Sequence, residues 1–475
     1  MQSPAPQTPL LARLALGACE WAERWFPDSF SFSILAVAIV AAAALSIGVA
    51  PLDVAVQFGT GFWSLIPFTM QMCFVVIGGY VVADSPPVAQ LVEWLAGRPR
   101  TGRGAVAFVA AVTVATSLVH WGLSLVLGSL LSRALARRTS LRMDYRAAGA
   151  ACCLGTGSVW ALGLSSSAAQ LQANPASMPP ALLAIGGVIP FTQTIFLWQS
   201  MALAGLLAGL SVWIAWRSAP DASGAVTAGD LGIDTRARDQ SLTTRTRPGE
   251  FLEFSPAGSL LIAALAAVYL GHEIAGKGLA TAVSSLNNYN LAFLAAGLVL
   301  QWRPRRFMQS VAAGVPSVAA ILVQFPLLGS IAAIMTAAKT PAAGTLATAL
   351  GHAIATHCSH GTFAAVIGGY SALLGLFMPS GGGKWVIEAP YVLHAATELR
   401  YHLGWAVQIY NAAEALPNLI NPFWMLPVLG ILGLRARDLI GFTVVQFLIA
   451  LPTVLVLLWA LGSTLGYEPP QFPAP

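Results

Sequence analysis

The sequence predicts an all-α polytopic membrane protein built as an inverted repeat, with two re-entrant helical hairpins and about nine full spans. Three observations carry this expectation. Hydrophobic residues make up 56% of the 475 positions and charged residues only 9%, against about 25% charged in an ordinary soluble domain. The arginines collect in separated loop groups. One polar pattern also occurs twice: Ser64, Gln71 and Trp121, then Ser317, Gln324 and Trp385. In each copy Ser and Gln stand seven residues apart in apolar sequence, close to two helical turns, so they are expected to project from one side. A broken apolar hairpin carrying the Trp follows each pair. A doubled polar site inside a membrane points to transport.

Residues 1–28 open the chain. Leu11, Leu14, Ala18, Trp21 and Trp25 recur at helical spacing, which predicts an amphipathic helix lying in the membrane interface. Glu20 and Glu23 interrupt the stretch and no small-residue cleavage site follows, so a cleaved signal peptide is not expected.

The first repeat, 29–216, is expected to cross the membrane at 29–49, 63–83, 147–171 and 190–216. Arginines cluster at 98–103, 133–146, 217–247, 303–306 and 435–437. By the positive-inside rule all five groups are cytoplasmic, and so is the N-terminus. A chain leaving the cytoplasm at Gly104 must then be back by Arg133, which only a hairpin over 104–138 achieves. Its arms, 104–119 and 123–138, have 16 residues each and span about 24 Å as helix, short of the roughly 30 Å hydrocarbon core. The tip is placed at His120, Trp121 and Gly122, where broken backbone is tolerated only if buried in protein or lining a cavity.

Residues 217–256 form the longest polar stretch and are read as a cytoplasmic linker. A connecting segment, 257–287, contains one extra span at about 257–271 and inverts the second half. The second repeat, 288–463, crosses at 288–302, 311–335, 405–434 and 438–463, with its hairpin over 361–398 entering from the other side. That hairpin breaks at Pro379-Ser380-Gly381-Gly382-Gly383-Lys384. A tail, 464–475, closes the chain.

Some functions are excluded by these patterns. The net charge of +5 resides in loop arginines, not in a continuous basic face, so nucleic acid is not an expected partner. Cys19, Cys73, Cys152, Cys153 and Cys358 lack metal-ligand spacing and read as buried small hydrophobes. His352, His357 and His360 match no familiar helical ligand pair and are placed on an exposed amphipathic segment, so no metal is expected. An intramembrane enzyme is a remote alternative, because no nucleophile stands with a base at diagnostic spacing and no HExxH motif occurs.

Candidate site residues follow from the pattern. Ser380, Gly381, Gly382 and Gly383 offer bare backbone N–H groups at a helix N-terminus, suited to a carboxylate. Lys384 meets a substrate charge or pairs with Glu388 one turn on. Gln71 and Gln324 can hydrogen-bond substrate without the cost of an ionised group, or can join packed helices. His120 is placed at the first tip, where it takes a coupling proton or holds backbone, and Trp121 and Trp385 wall the cavity beside Gly122. Ser165, Ser166 and Ser167, after the glycine-interrupted 155–163 stretch, correspond by position to Asn418 and Asn421. With Glu414 these are the coupling-ion candidates, for H+ or Na+; no cofactor is expected.

Gly61-Phe62-Trp63, Met70-Gln71-Met72, Trp121-Gly122, Leu322-Val323-Gln324-Phe325-Pro326, Pro379 to Gly383 with Trp385-Val386-Ile387, and Pro422-Phe423-Trp424 together carry a resemblance. On them the chain resembles the short-chain fatty acid (acetoacetate/butyrate) transporter family of bacteria, over nearly its whole length apart from the polar linker. That family is placed in the ion transporter superfamily. The resemblance implies a homodimer in the bacterial inner membrane, an elevator-like movement of the hairpin tips, and a cation-coupled symporter taking up a small carboxylate such as acetoacetate or butyrate. Another small organic anion, di- or hydroxycarboxylate, is the alternative cargo. Lys384, His120, Glu388 and the Glu414-Ala415-Leu416 stretch depart from the family's usual residues, which bears on the identity of that carboxylate.

Overall fold

The computed structural model describes residues 29–235, 245–340, 344–378 and 380–472. The expected interfacial helix over 1–28, with Cys19, lies outside the described residues, as does Pro379. Among the described residues all the regular secondary structure is helical, apart from two isolated β-bridges.

The first half opens with α1 (Ser29–Ser46), α2 (Pro51–Ser64), α3 (Ile66–Ala83) and α4 (Pro86–Ala96). Pro51 and Pro86 occupy first-turn positions, where the missing N–H costs nothing. A hairpin of α5 (Gly102–Val119) and α6 (Trp121–Ala136) follows, then α7 (Tyr145–Cys153), α8 (Ser167–Ala173), α9 (Pro180–Gly186) and α10 (Trp198–Ser218). The second half begins at α11 (Ala257–Lys277) and continues with α12 (Leu286–Gln301), α13 (Pro304–Gly314), α14 (Ala319–Ala337) and α15 (Leu346–His357). Its hairpin is α16 (Phe363–Phe377) with α17 (Gly381–Glu398), followed by α18 (Leu403–Ala415), α19 (Pro422–Leu432) and α20 (Ala436–Gly462).

Packing relations come in matched pairs. α1 packs on α14 as α12 packs on α3; α4 backs the second hairpin arm α6 as α15 backs α17; α7 lies on α5 as α18 lies on α16. α2 and α14 approach closely, so that a Cβ on Gly61 or on Gly329 would fall on the other helix's backbone. Small residues at such a contact let two helices in lipid gain dispersion energy by close approach.

Among the described residues, six helical stretches are long and apolar enough to cross a membrane: Pro51–Ala83, Gly102–Val119, Tyr145–Ala173, Trp198–Ser218, Pro248–Lys277 and Ala436–Gly462. A seventh is a pair bent by 41°, Leu403–Leu419 with Trp424–Leu432. The nine expected spans exceed this because several are short or broken; α12, for example, has 16 residues. Outward faces are apolar: on α11, Leu261, Leu265 and Val268 are 62%, 63% and 74% exposed. A stripe of that kind is costly in water and satisfied in hydrocarbon.

Both hairpins are antiparallel about their tips. In the first, Thr113 meets Gly128 across the pair, and Thr101 caps α5 by accepting from Gly104 N at 3.1 Å. The non-helical residue is His120 alone, so the expected tip contracts: Trp121 and Gly122 already lie in the first turn of α6. In the second, Tyr391 Oη bonds Tyr370 Oη at 3.0 Å, and Lys384 Nζ donates to Ser371 O at 2.7 Å. There Gly381, Gly382, Gly383 and Lys384 form the first turn of α17 instead of a loop.

The arginine groups meet where the first hairpin ends. Arg138 donates to Ala96 O and Pro99 O, at 2.6 and 2.9 Å, and Arg133 donates to Ile431 O at 2.8 Å. The polar segment 219–235, part of the expected cytoplasmic linker over 217–256, straps this end. Arg103, Arg142 and Arg137 donate to Ala219 O, Ala222 O and Thr235 O, while Tyr145 N donates to Val226 O at 2.9 Å. Its carbonyls give the guanidinium groups acceptors that a flexible chain would not hold in place.

Candidate functional site

In both copies a backbone irregularity accompanies the seven-residue Ser–Gln spacing. Leu65, with φ −97° and ψ 3°, separates α2 from α3, so Ser64 ends one helix and Gln71 lies on the next. Ser64 Oγ donates to Gly61 O at 2.7 Å. In the second copy the 3-10 turn Val315–Val318 separates Ser317 from α14 and Gln324. A local backbone irregularity thus falls between Ser and Gln in each copy. Gln71 Nε2 donates to Asn287 Oδ1 at 2.9 Å, and Asn290 Nδ2 donates to the backbone O of Gln71. This amide cluster borders a cavity of about 400 Å³ with Pro67, Met70, Phe74, Asn290 and Leu291. No hairpin-tip residue lines it.

The tips themselves meet at Trp160, a buried residue that no spacing or motif in the sequence singles out. Its segment follows α7 as a π-helical turn, Gly155–Val159, and a 3-10 turn, Trp160–Leu162, so the 147–171 span is broken at the glycines. Trp121 lies edge-on to Trp160 with ring centroids 6.4 Å apart, and edge-on to Trp424 at 5.3 Å. From the other hairpin, Gly381 approaches so closely that a Cβ there would fall on the Trp160 ring. The next two glycines are equally confined. A Cβ on Gly382 would meet Phe68 and Ser167, and one on Gly383 would meet Leu328. Phe68 and Phe325 stack beneath them at 5.8 Å. The three glycines are thus needed for close approach, which Gly permits because it has no Cβ.

The three serines play separate parts. Ser165 Oγ accepts from Trp121 N at 2.7 Å, satisfying a first-turn donor of α6. Ser166 caps α8 by accepting from Ala169 N at 3.1 Å, and Ser167 is buried under Gly382. His120 likewise holds backbone, since its Nδ1 accepts from Leu123 N at 3.2 Å and caps α6. The ring is wholly buried against Phe293, at 4.3 Å, and Tyr289, at 5.8 Å.

On the second hairpin Lys384 and Glu388 are both fully buried, with Nζ 3.6 Å from Glu388 Oε1. Ser371 Oγ donates to Glu388 Oε2. Lys384 Nζ also lies 5.0 Å from the centroid of the Tyr410 ring, and the Tyr410 hydroxyl donates to Gly381 O. Trp385, expected at the apex, sits in the fifth position of α17 and is fully buried. Its Nε1 donates to Gln172 Oε1 at 3.3 Å and its ring packs on Tyr410 at 4.7 Å, within the core.

Glu414 stands one turn after Tyr410 on α18, beside the Gly381 end of α17. It is 1% exposed and neither carboxylate oxygen has a hydrogen-bond partner. Asn418, on the 3-10 turn Leu416–Leu419 that continues α18, donates to Thr156 O at 3.0 Å, and its Oδ1 is unpartnered. Asn421 Nδ2 donates to Leu376 O at 3.2 Å, tying the second broken helix to its hairpin as Ser165 ties the first. Gln324 is half-buried on α14 beside Phe325.

The remaining titratable groups lie elsewhere. His352 bonds the Glu398 carboxylate at 3.2 Å, and the His360 ring lies tilted against Tyr401 at 4.7 Å; His352, His357 and His360 are not buried. Cys73, Cys152 and Cys153 are buried as expected, and Cys358 is half-buried.

A broken helix from each half meeting two hairpin tips belongs to an overall shape shared with solved transporters. The Alcanivorax borkumensis YdaH transporter matches with a TM-score of 0.56 and 17% identity, covering 96% of this chain and 98% of that one. MtrF of Neisseria gonorrhoeae, described as illuminating a class of antimetabolite efflux pumps, matches with a TM-score of 0.59 and 13% identity, covering 96% and 100%. At such identities the likeness is one of fold. Sequence relatives are nearer. Two proteins named "Putative short-chain fatty acid transporter" match: that of Escherichia coli is 31% identical over 92% of this chain and 97% of its own length. That of Haemophilus influenzae is 29% identical over 95% and 100%. The relatives and the family are transporters, not enzymes. The family model described as "Short chain fatty acid transporter" matches residues 10–461, and the chain belongs to that family of membrane transporters.

Proposed function

We propose that this chain is a secondary active transporter that takes up short-chain fatty acids such as acetoacetate or butyrate across the bacterial inner membrane, coupled to a cation. The observation that carries this reading is the meeting of both hairpin tips at Trp160, through Trp121 on one side and Gly381 on the other. Substrate binds at the tips, with the Ser380–Gly383 backbone at the α17 N-terminus receiving the carboxylate. The partial positive charge there does not require Lys384, which Glu388 already balances.

The matched packing of the two halves supports an inverted repeat, one hairpin entering from each side. Arginine groups gathered at the ends of α5 and α6 support a cytoplasmic base for the first hairpin and a cytoplasmic N-terminus. In this reading the hairpins and broken helices move together past α1 to α3 and α12 to α14, in a homodimer embedded in lipid. The coupling ion, H+ or Na+, is carried near Glu414 and Asn418; Ser165 and Ser166 are already engaged in holding backbone.

Counterflow in proteoliposomes tests this, at a pH where the acid is ionised and with protein-free vesicles as the blank. Labelled butyrate should exchange against a preloaded butyrate pool, and succinate should compete poorly. Exchange of succinate but not butyrate would replace the monocarboxylate with a larger anion; exchange of neither would end the transport reading.

A further inference from the structure

We propose that Glu414 carries the coupling proton, taking it up when a carboxylate occupies the α17 N-terminus and releasing it on the far side; this rests on the transport reading above. The argument begins with charge. The buried cluster holds one cation, Lys384, and two carboxyl groups, Glu388 and Glu414. Lys384 is committed to Glu388 and to Ser371 O. Glu414 has no ion-pair partner among the described residues and no hydrogen bond to either oxygen. An ionised carboxylate in such a place is uncompensated, so Glu414 can be ionised only while the site is open to water and must gain a proton when the site closes over substrate.

The groups that face Glu414 can be named element by element. From α17 come Lys384 and Glu388, and from the preceding turn of α18 comes Tyr410. α16 contributes Tyr370 as its one titratable residue; α8 and the Gly155–Val159 and Trp160–Leu162 turns carry no charged residue; α20 has its charges, Arg437 and Asp438, in its first turn. Two further buried groups here lack partners, Trp160 Nε1 and Asn418 Oδ1, a donor and an acceptor.

The second step is linkage. A Cβ built on Gly381 would lie 3.3 Å from Glu414 Oε2, so Glu414 borders the backbone end that receives the substrate carboxylate. Two anions there would repel, because Lys384 is already balanced. Forming an O–H bond at a Glu414 oxygen, with the proton drawn from water, removes that repulsion; breaking the bond on the other side restores it and expels the carboxylate. Proton and substrate binding are therefore positively coupled, and by reciprocity each strengthens the other. His120 is the less suited carrier, since its Nδ1 is occupied by the Leu123 N–H.

The test counts protons. Butyrate is titrated calorimetrically into the purified full-length chain, in buffers of different ionisation enthalpy, at pH values where the acid is ionised. The wild type should take up about one proton per butyrate, its affinity weakening toward about tenfold per pH unit, the limit for one linked proton. Glu414→Gln, an isostere of the protonated acid, should bind with no proton uptake and no pH dependence, and Glu414→Asp should retain both. Wild-type binding without proton uptake, binding that requires Na+ instead, or uptake undiminished in Glu414→Gln overturns the proposal and leaves the transport reading standing. No butyrate binding by the wild type overturns both.

Discussion

Lys384 Nζ sits 3.6 Å from Glu388 Oε1, one helical turn away, with both side chains wholly buried inside the second hairpin. The pair is held from the opposite arm by Ser371, which accepts from the lysine through its carbonyl and donates to the glutamate through its hydroxyl. A charge pair of this kind contributes little net stability, yet is costly to halve.

Halving it should therefore be measurable. Lys384→Met or Glu388→Leu alone should lower stability by about 3–5 kcal/mol, each leaving a buried charge, whereas the double substitution should recover most of that loss. Thermal unfolding in detergent, followed by size-exclusion fluorescence, checks the order. Equal losses in the single and double variants would mean that the two charges are not coupled.

The glycines of the second tip should tolerate no side chain. Gly383→Ala places a Cβ on Leu328 Cδ1, and Gly381→Ala places one on Trp160. Both should abolish butyrate counterflow, overpacking of a tight site costing about 1–3 kcal/mol. Pairing Gly383→Ala with Leu328→Ala should restore part of the counterflow; no restoration would show that the backbone N–H geometry, not the space, had been lost.

Ser165→Ala should loosen the first tip. It removes the acceptor for Trp121 N, leaving a buried donor at a cost of about 1–3 kcal/mol. Hydrogen exchange at Trp121 should quicken while exchange in the body of α7 stays slow. Unchanged protection at Trp121 would show that another group accepts its N–H.

Cysteine accessibility checks the topology. Arg100 and Ser140 are both exposed, at the two ends of the first hairpin. Arg100→Cys and Ser140→Cys, in a background lacking Cys19 and Cys358, should react with an impermeant reagent from the same side of the membrane. Labelling from opposite sides would mean that this hairpin crosses completely.

Much of the fold is legible in the sequence because its causes are local. Arginine counting places the first hairpin, and its break at His120 falls inside the expected tip. A run of glycines places the second, and the non-helical residues Met378 and Ser380 adjoin it. The broken span after α7 shows in the sequence as the glycines between 155 and 163. By contrast heptad spacing gives no sign of the backbone irregularity at Leu65, between Ser64 and Gln71. Analogy with Trp121 assigns Trp385 to the apex, but helix α17 begins four residues earlier and turns it into the core. Polarity marks 217–256 as a linker without revealing that arginines on another segment bind its carbonyls.

What the sequence determined by itself was the solvent and the punctuation of the fold: apolar helices for lipid, charged ends, and two breaks where the chain turns back. Those follow from transfer free energy and backbone freedom, which act residue by residue. Tertiary structure alone decided which polar groups share a buried space. Ser165 holds Trp121 from 44 positions away, and Trp160 brings together two tips that the sequence separates by about 260 residues. It also decided that Glu414, unlike Gln408 and Asn411 on the same helix, lies without a hydrogen-bond partner beside Gly381. Whether a buried polar group is a strut or a working part depends on what faces it, and only the packed chain fixes that.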